Sequence, residues 1–192
     1  SSGGIMCDLT VSRLGPQKYW VITGGSVHGH DLAWLTTHLP TDGSVKLVDI
    51  TSSYCCVGLW GPQAEAVLQS LTSVDLSMSA FGFFTNQSFY IDNIPVLASR
   101  VSYVGEPGWE IYALTESGLK LWDTLWAAGQ PYGMIAAGLG AFETLRLEKG
   151  FLLWGTDIHT EYDPYEAGLS FAIRPTKGDF IGKSSLLQRQ EY

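Results

Sequence analysis

Apolar and polar positions change period along this chain, and the changes mark its elements. Residues 5–14 alternate, with Cys7, Leu9 and Val11 on one face and Met6, Asp8, Thr10 and Ser12 on the other, which is the two-residue period of a strand. Gly15-Pro16 reads as a turn and residues 18–23 as a second strand, so a hairpin is predicted. The spacing of Leu32, Leu35 and Leu39 switches to a helical period, with Ser26 or Asp31 as its cap and Pro40 as its stop. Strands are expected at 45–50 and 54–60. Gly61-Pro62 then opens a helix with Pro at its first position and Ala64, Val67, Leu68 and Leu71 as its apolar stripe. Residues 76–86 are irregular. Strands follow at 87–91 and 96–103, joined by a turn at 92–95, and a further strand at 109–114 is entered through Gly105-Glu106-Pro107-Gly108. Thr115 caps a predicted helix over 119–128 that stops at Gly129. Residues 135–149 predict a third helix ending at Gly150, with Lys149 favourably placed at its C-terminus. A loop through Trp154, Asp157 and Pro164 leads to an expected strand at 169–174, and residues 180–188 begin a helix.

Antiparallel-looking strand pairs with helices between them predict an α+β fold, antiparallel sheets with packed helices. No fixed-period repeat and no low-complexity segment is present. The 192 residues, 45% of them hydrophobic, suffice for a sizeable core. No apolar run reaches the length of a membrane-crossing helix. A net charge of −8 argues against non-specific nucleic-acid binding but leaves room for a small anionic ligand. Cys7, Cys55 and Cys56 form neither a disulfide framework nor a zinc-type CxxC pair, and read as thiols in a reducing compartment. The sequence opens without an initiator methionine on a strand pattern, and closes inside a helix pattern, so both ends are expected to continue into a longer protein.

Candidate chemistry is sparse. Asp8 is a carboxylate within a predicted strand, where Asp is depleted; it is aimed into a pocket or, more plainly, is a solvated residue on the polar face. Tyr103 and Glu110 flank a glycine-rich turn, and as neighbours on a hairpin their side chains would converge on one face. A carboxylate between Trp109 and Ile111 suits a flat heterocycle, accepting from ring N–H groups while aromatic rings stack; a surface Glu on a half-exposed hairpin explains it equally well. Arg146 can pair with Glu143 on a solvated helix face. His28, His30, His38 and His159 lack metal-site spacing and read as structural or surface residues. No GxSxG, Walker loop or GxGxxG occurs, and Gly138-Leu139-Gly140 reads as close helix packing.

The string Tyr103-Val104-Gly105-Glu106-Pro107-Gly108-Trp109-Glu110-Ile111-Tyr112 resembles the signature of the aminomethyltransferase (glycine-cleavage T-protein) superfamily. Gly3-Gly4-Ile5-Met6-Cys7-Asp8-Leu9 resembles its opening strand. Leu145-Arg146-Leu147-Glu148-Lys149-Gly150, Trp154-Gly155-Thr156-Asp157-Ile158, Asp163-Pro164-Tyr165-Glu166-Ala167-Gly168-Leu169 and Phe180-Ile181-Gly182-Lys183 follow in the family's order. Cys55-Cys56-Val57-Gly58-Leu59-Trp60-Gly61-Pro62 and Glu148-Lys149-Gly150-Phe151 look closer to the C-terminal folate domains of dimethylglycine oxidase and of the dimethylglycine and sarcosine dehydrogenases. Stand-alone T-proteins usually carry an Arg-Asp pair where this chain has Phe142-Glu143. The Lys-Gly-Cys-Tyr signature of the iron–sulfur repair branch is absent. The resemblance implies a tetrahydrofolate-binding module that transfers a one-carbon unit from a small N-methylated amine, oxidised by an FAD domain elsewhere in the parent protein. It implies Asp8 as the catalytic carboxylate, and Ile22, Thr23, Gly24, Tyr103 and Glu110 as the folate pocket. Residues 1–75 would complete a first folate-binding subdomain and 76–192 would form a second, with the flavin domain, the start of the folate domain and a C-terminal barrel lying outside this chain. Cytoplasm or mitochondrial matrix is the expected location, with neither membrane nor nucleic acid as a partner. A T-protein acting on a lipoyl-carried aminomethyl group is the rival enzyme, and a non-catalytic regulatory or scaffold relative the rival of another class.

Overall fold

The computed structural model describes residues 3–189. The chain divides into two compact units, one made of Ser1–His38 with Leu152–Tyr192 and the other of Leu39–Phe151. The units interleave in sequence, whereas the boundary expected at 75/76 is a single cut.

In the first unit, β1 (Leu9–Gly15) and β2 (Lys18–Thr23) form the predicted antiparallel hairpin, with Leu9 opposite Thr23 and Val11 opposite Val21. The strand begins four residues later than expected. Residues 4–8 make no ladder; Ile5 is instead held by loops, its N–H donating to the Tyr162 carbonyl at 3.0 Å and its carbonyl accepting from the Trp154 indole at 2.9 Å. The expected facing also reverses, since Ser12 is buried and Val11 exposed. Helix α1 (His28–Thr37) follows a 3-10 turn over Gly25–Val27. Neither Ser26 nor Asp31 caps it: the N-cap is Val27, and Asp31 lies inside the first turn. The expected strand at 169–174 is absent, and a 3-10 turn, Ser170–Ala172, stands there. Helix α5 (Lys183–Arg189) forms as predicted, three residues late.

The second unit is a four-stranded antiparallel sheet in the order β3-β6-β5-β4. Its strands are β3 (Tyr54–Trp60), β4 (Asn86–Ile91), β5 (Ile94–Ser99) and β6 (Gly108–Leu114). Period-2 alternation sends Trp109, Ile111 and Ala113 of β6 to one face. There they join Leu59, Ile91, Val96 and Ala98 in a core closed by α2 (Ala64–Gln69) and α3 (Gly118–Gly129) through Val67, Leu68, Leu121 and Leu125. Each buried Val, Leu or Ile side chain among them contributes about 1.5–3 kcal/mol, so this face anchors the sheet. On α3 the buried pair Leu121 and Leu125 follows the helical four-residue spacing. Asp92 takes a positive φ of 53° in the two-residue turn between Ile91 and Ile94, as a tight hairpin requires. The predicted turn at 92–95 thus shortens, and Pro95 pairs within the ladder.

Three further expectations change. Residues 45–50 are not a strand; Val45 and Val48 are exposed and find no partner ladder. Helix α2 starts at Ala64 rather than Pro62, with Gln63 as N-cap. Helix α4 (Leu139–Glu148) starts four residues after Ile135, because Gly138 is extended and acts as its N-cap. Thr115 opens a 3-10 turn ahead of α3, and its hydroxyl donates to the Ser52 carbonyl at 2.9 Å instead of capping the helix.

Candidate functional site

In the second unit the sheet face opposite the core carries Glu110, Tyr112 and Cys56. Glu110 lies between Gly58 of β3 and Ser99 of β5, in direct register with both. It is half-buried, while Cys56 and Gly58 beside it are exposed and Ser99 is covered. Side chains two apart on a strand share a face, and the Tyr112 hydroxyl donates to Glu110 Oε2. That bond fixes the carboxylate at one oxygen. Desolvation around its sulfur, then the charge of Glu110, pushes the Cys56 thiol up to about 12, although the residue as a whole is exposed. Burial also raises Tyr112, helped by Cys56 and Glu110, so it stays a donor. Gly58 is needed where it stands, because a Cβ there would meet the Trp60 ring. Gly108 has φ +152°, and a Cβ there would run into the Leu59 carbonyl.

Tyr103 is not on a strand. β5 stops at Ser99, and residues 101–107 form the loop back to β6, so the hairpin pairing expected between Tyr103 and Glu110 does not occur. Arg100, the residue after Ser99, is buried on the core side like Ala98. Its guanidinium donates to the carbonyls of Leu76 (2.7 Å) and Phe81 (2.8 Å), pairs with Glu65 at 3.1 Å and lies 4.7 Å over the Trp109 ring. Tyr103 instead joins an aromatic layer, with ring centroids 5.2 Å from Phe142 and 6.2 Å from Phe151, the second pair stacked. Phe142 in turn lies 5.8 Å from Trp60. Phe142 therefore packs as one ring of this layer. Its neighbour Glu143 pairs with Arg146 as predicted, but Arg146 is buried, not on a solvated face, and also donates to the Phe151 carbonyl at 2.8 Å. An apolar cleft of about 380 Å³ runs beside this layer, walled by Trp60, Trp122, Trp126, Leu139 and Phe142.

In the first unit Asp8 is exposed, one residue ahead of β1 and outside it. Its carboxyl is nonetheless held above the ordinary range, by desolvation first and by the charge of Asp31 second. Asp31, missed as a functional candidate, is 1% exposed. Burial opposes its ionisation, but hydrogen bonds from Thr23, His30 and Cys7 and the charge of His30 outweigh that and lower its pKa. Thr23 donates to Oδ2, and His30 Nδ1 lies 2.9 Å from Oδ1. So the Thr23 side chain is committed to Asp31. Ile22 pairs with Thr10 in the hairpin, and Gly24 is extended (φ −63°, ψ 134°) and exposed before the 3-10 turn. The pairing of Thr23 with Asp31, eight residues apart across a turn, left no signal in local periodicity.

The chain is similar to known proteins along most of its length. Human mitochondrial dimethylglycine dehydrogenase is 42% identical over 188 residues, covering 97% of this chain and 22% of that protein. An aminomethyltransferase of Bacillus cereus is 38% identical over 191 residues, covering 99% of this chain and 51% of its own length. The chain thus spans a fifth to a half of the curated relatives it matches. Among solved structures, the glycine cleavage system aminomethyltransferase T from Bartonella henselae superposes with a TM-score of 0.78 at 26% identity, over 99% of this chain and 50% of that one. The heterotetrameric sarcosine oxidase from Corynebacterium sp. U-96 shares the fold, with a TM-score of 0.54 at 21% identity over 70% of this chain and 66% of its own. Residues 1–177 match the GCVT N-terminal domain family, and this chain belongs to it.

Proposed function

We propose that this chain is the tetrahydrofolate-binding, one-carbon-transfer module of an FAD-dependent enzyme that demethylates N-methylglycines and forms 5,10-methylenetetrahydrofolate. The observation that carries the reading is Glu110. It is a half-buried carboxylate on the sheet face opposite the core, fixed by Tyr112, in the unit that also holds the layer of Tyr103, Phe142 and Phe151. A flat ring with N–H donors fits that chemistry: the carboxylate accepts, and aromatic faces pack on the ring. Tetrahydrofolate, when bound, supplies the nitrogens that take up the carbon. Glu110 and Tyr103 orient it, which lowers the entropic part of the barrier. Ile22, Thr23 and Gly24 are assigned to the pocket wall through backbone atoms, consistent with a Thr23 side chain already committed to Asp31. Asp8 accepts a proton from a folate nitrogen or stabilises positive charge there. Its raised pKa suits proton acceptance, because a carboxylate made more basic is a better acceptor. The FAD domain is assigned to the parent protein outside this chain. The identity to dimethylglycine dehydrogenase supports this branch, and the cytoplasm or the mitochondrial matrix as the place of action. Among the described residues no helix is long and apolar enough to cross a membrane.

Calorimetric titration with folinic acid, a stable tetrahydrofolate analogue, tests the reading. Saturable binding that weakens at least about tenfold in Glu110→Gln, with circular dichroism unchanged, supports the pocket. Binding by the full-length protein that is indifferent to Glu110→Gln would refute Glu110 as its anchor. In that protein Asp8→Asn is expected to suppress methylene transfer while leaving amine oxidation by the flavin intact. The similarity to bacterial aminomethyltransferase over nearly the whole chain favours a second reading, transfer from a lipoyl-carried aminomethyl group. Turnover with aminomethylated lipoyl protein would decide for it.

A further inference from the structure

Cys7, His30 and Asp31 offer one sulfur, one nitrogen and one oxygen, all within 4.8 Å of one another. Among the described residues this is the one such group of three. Each member arrives from a different local context: Cys7 from the extended lead into β1, His30 and Asp31 from the first turns of α1. A tetrahedral Zn2+ with bonds of about 2.0–2.3 Å places its ligand atoms about 3.3–3.8 Å apart. The three donors need only small adjustments to reach that spacing. His30 is exposed and Cys7 half-buried, which gives an entry path from solvent, while Asp31 forms the closed floor. The set is mixed S, N and O, borderline-soft, and matches Zn2+ rather than Mg2+ or Ca2+. Thr23 donates to Asp31 Oδ2 and leaves Oδ1 toward His30, the outer-shell hydrogen bond by which ligating carboxylates are oriented. The His30 ring packs on Trp154 with centroids 4.9 Å apart, which restricts its swing.

We propose that Cys7, His30 and Asp31 form a transition-metal site whose preferred occupant is Zn2+, with one coordination position left open. Binding is a proton exchange without oxidation or reduction. The Cys7 S–H bond breaks, its proton goes to solvent, and a sulfur–zinc bond forms in its place. The neutral imidazole of His30 binds through Nδ1 and carries its proton on Nε2. Asp31 Oδ1, relieved of the His30 hydrogen bond, takes the third position. The site stands on the first unit alone and does not depend on the folate reading. Because Asp8 follows Cys7 directly, occupancy would restrain the carboxylate assigned to one-carbon transfer.

Titration of the metal-free chain with zinc chloride, in two buffers of different ionisation enthalpy, tests the proposal. One zinc per chain and one proton released per zinc are expected, with affinity at least about tenfold weaker in Cys7→Ser and in His30→Ala. The cobalt(II) form is expected to show thiolate-to-metal charge-transfer absorption that Cys7→Ser abolishes. His30→Ala lies at an exposed position and keeps the test open should Cys7→Ser fail to fold. No saturable binding by the folded wild-type chain would overturn the site. So would binding unchanged in both variants, which would mark an adventitious ion only.

Discussion

Arg100 is one of two buried arginines in the second unit, and its removal is the sharpest test of how that unit holds together. In Arg100→Met the aliphatic stem is roughly kept, but the carbonyls of Leu76 and Phe81 lose their charged donors inside a covered site. Hydrogen bonds to charged groups contribute about 1.5–3 kcal/mol each. Two of them, partly offset by the apolar replacement and by release of the desolvated guanidinium, give an expected loss of about 3–5 kcal/mol. Glu65→Gln is the matched control. The Glu65 side chain is 49% exposed, and its loss leaves both carbonyls satisfied, so about 1 kcal/mol or less is expected. Urea unfolding followed by tryptophan fluorescence reads both, since the guanidinium covers the Trp109 ring. With a slope of about 2 kcal/mol per molar urea, Arg100→Met should move the midpoint of the second unit by about 1.5–2.5 M and Glu65→Gln by less than about 0.5 M. A shift in Arg100→Met no larger than in the control would show that the two carbonyls are not what the arginine supports.

Two further outcomes follow from the charge environment. Cys56 is exposed, yet its thiol sits at about 12, so iodoacetamide should label it slowly at pH 8 and about tenfold faster for each added pH unit up to that value; Glu110→Gln should accelerate labelling by removing the nearby charge, as mass spectrometry of the modified peptide would show. Asp163 is buried, and burial opposes its ionisation, yet bonds from the Glu166 and Tyr165 N–H groups and from Arg189 lower its pKa. A depressed carboxyl stabilises the fold above its unfolded value near pH 4, and the contribution is lost as pH falls through the lower folded value. Asp163→Asn should therefore be less stable at neutral pH and show a flatter acid limb below about pH 4 in thermal melts.

What the sequence disclosed, it disclosed where local period and tertiary role coincide. β2 and β3 have the predicted bounds, Lys18–Thr23 and Tyr54–Trp60, because β-branched and aromatic residues bounded by turn residues also find ladder partners there. Residues 45–50 are rich in β-branched residues too, but without a partner strand no strand forms. The helical period of residues 135–149 runs through Gly138, whose extended backbone delays α4. Arg100 and Arg146 were illegible for a different reason. A charged side chain reads as surface until its acceptors are known, and those of Arg100 lie 19 and 24 residues away. At the candidate site, Glu110 was placed by its position opposite the apolar residues, and the sheet confirms that facing. Tyr103 lies four residues past the end of β5, in the loop back to β6. The Thr23–Asp31 clasp depends on a turn conformation that no residue pattern specifies.

The interleaving of the two units has a consequence for biosynthesis. Ile5 is fixed by the indole of a residue 149 positions later, and by the carbonyl of Tyr162. At about 5–20 residues per second, a ribosome needs roughly 7–30 s to deliver that partner. All of Leu39–Phe151 emerges in the interval and can fold first. The β1–β2 hairpin, with Val11, Tyr19 and Val21 exposed even in the finished fold, must wait through that time as an incomplete nascent segment, the stage at which a chaperone would have most to hold.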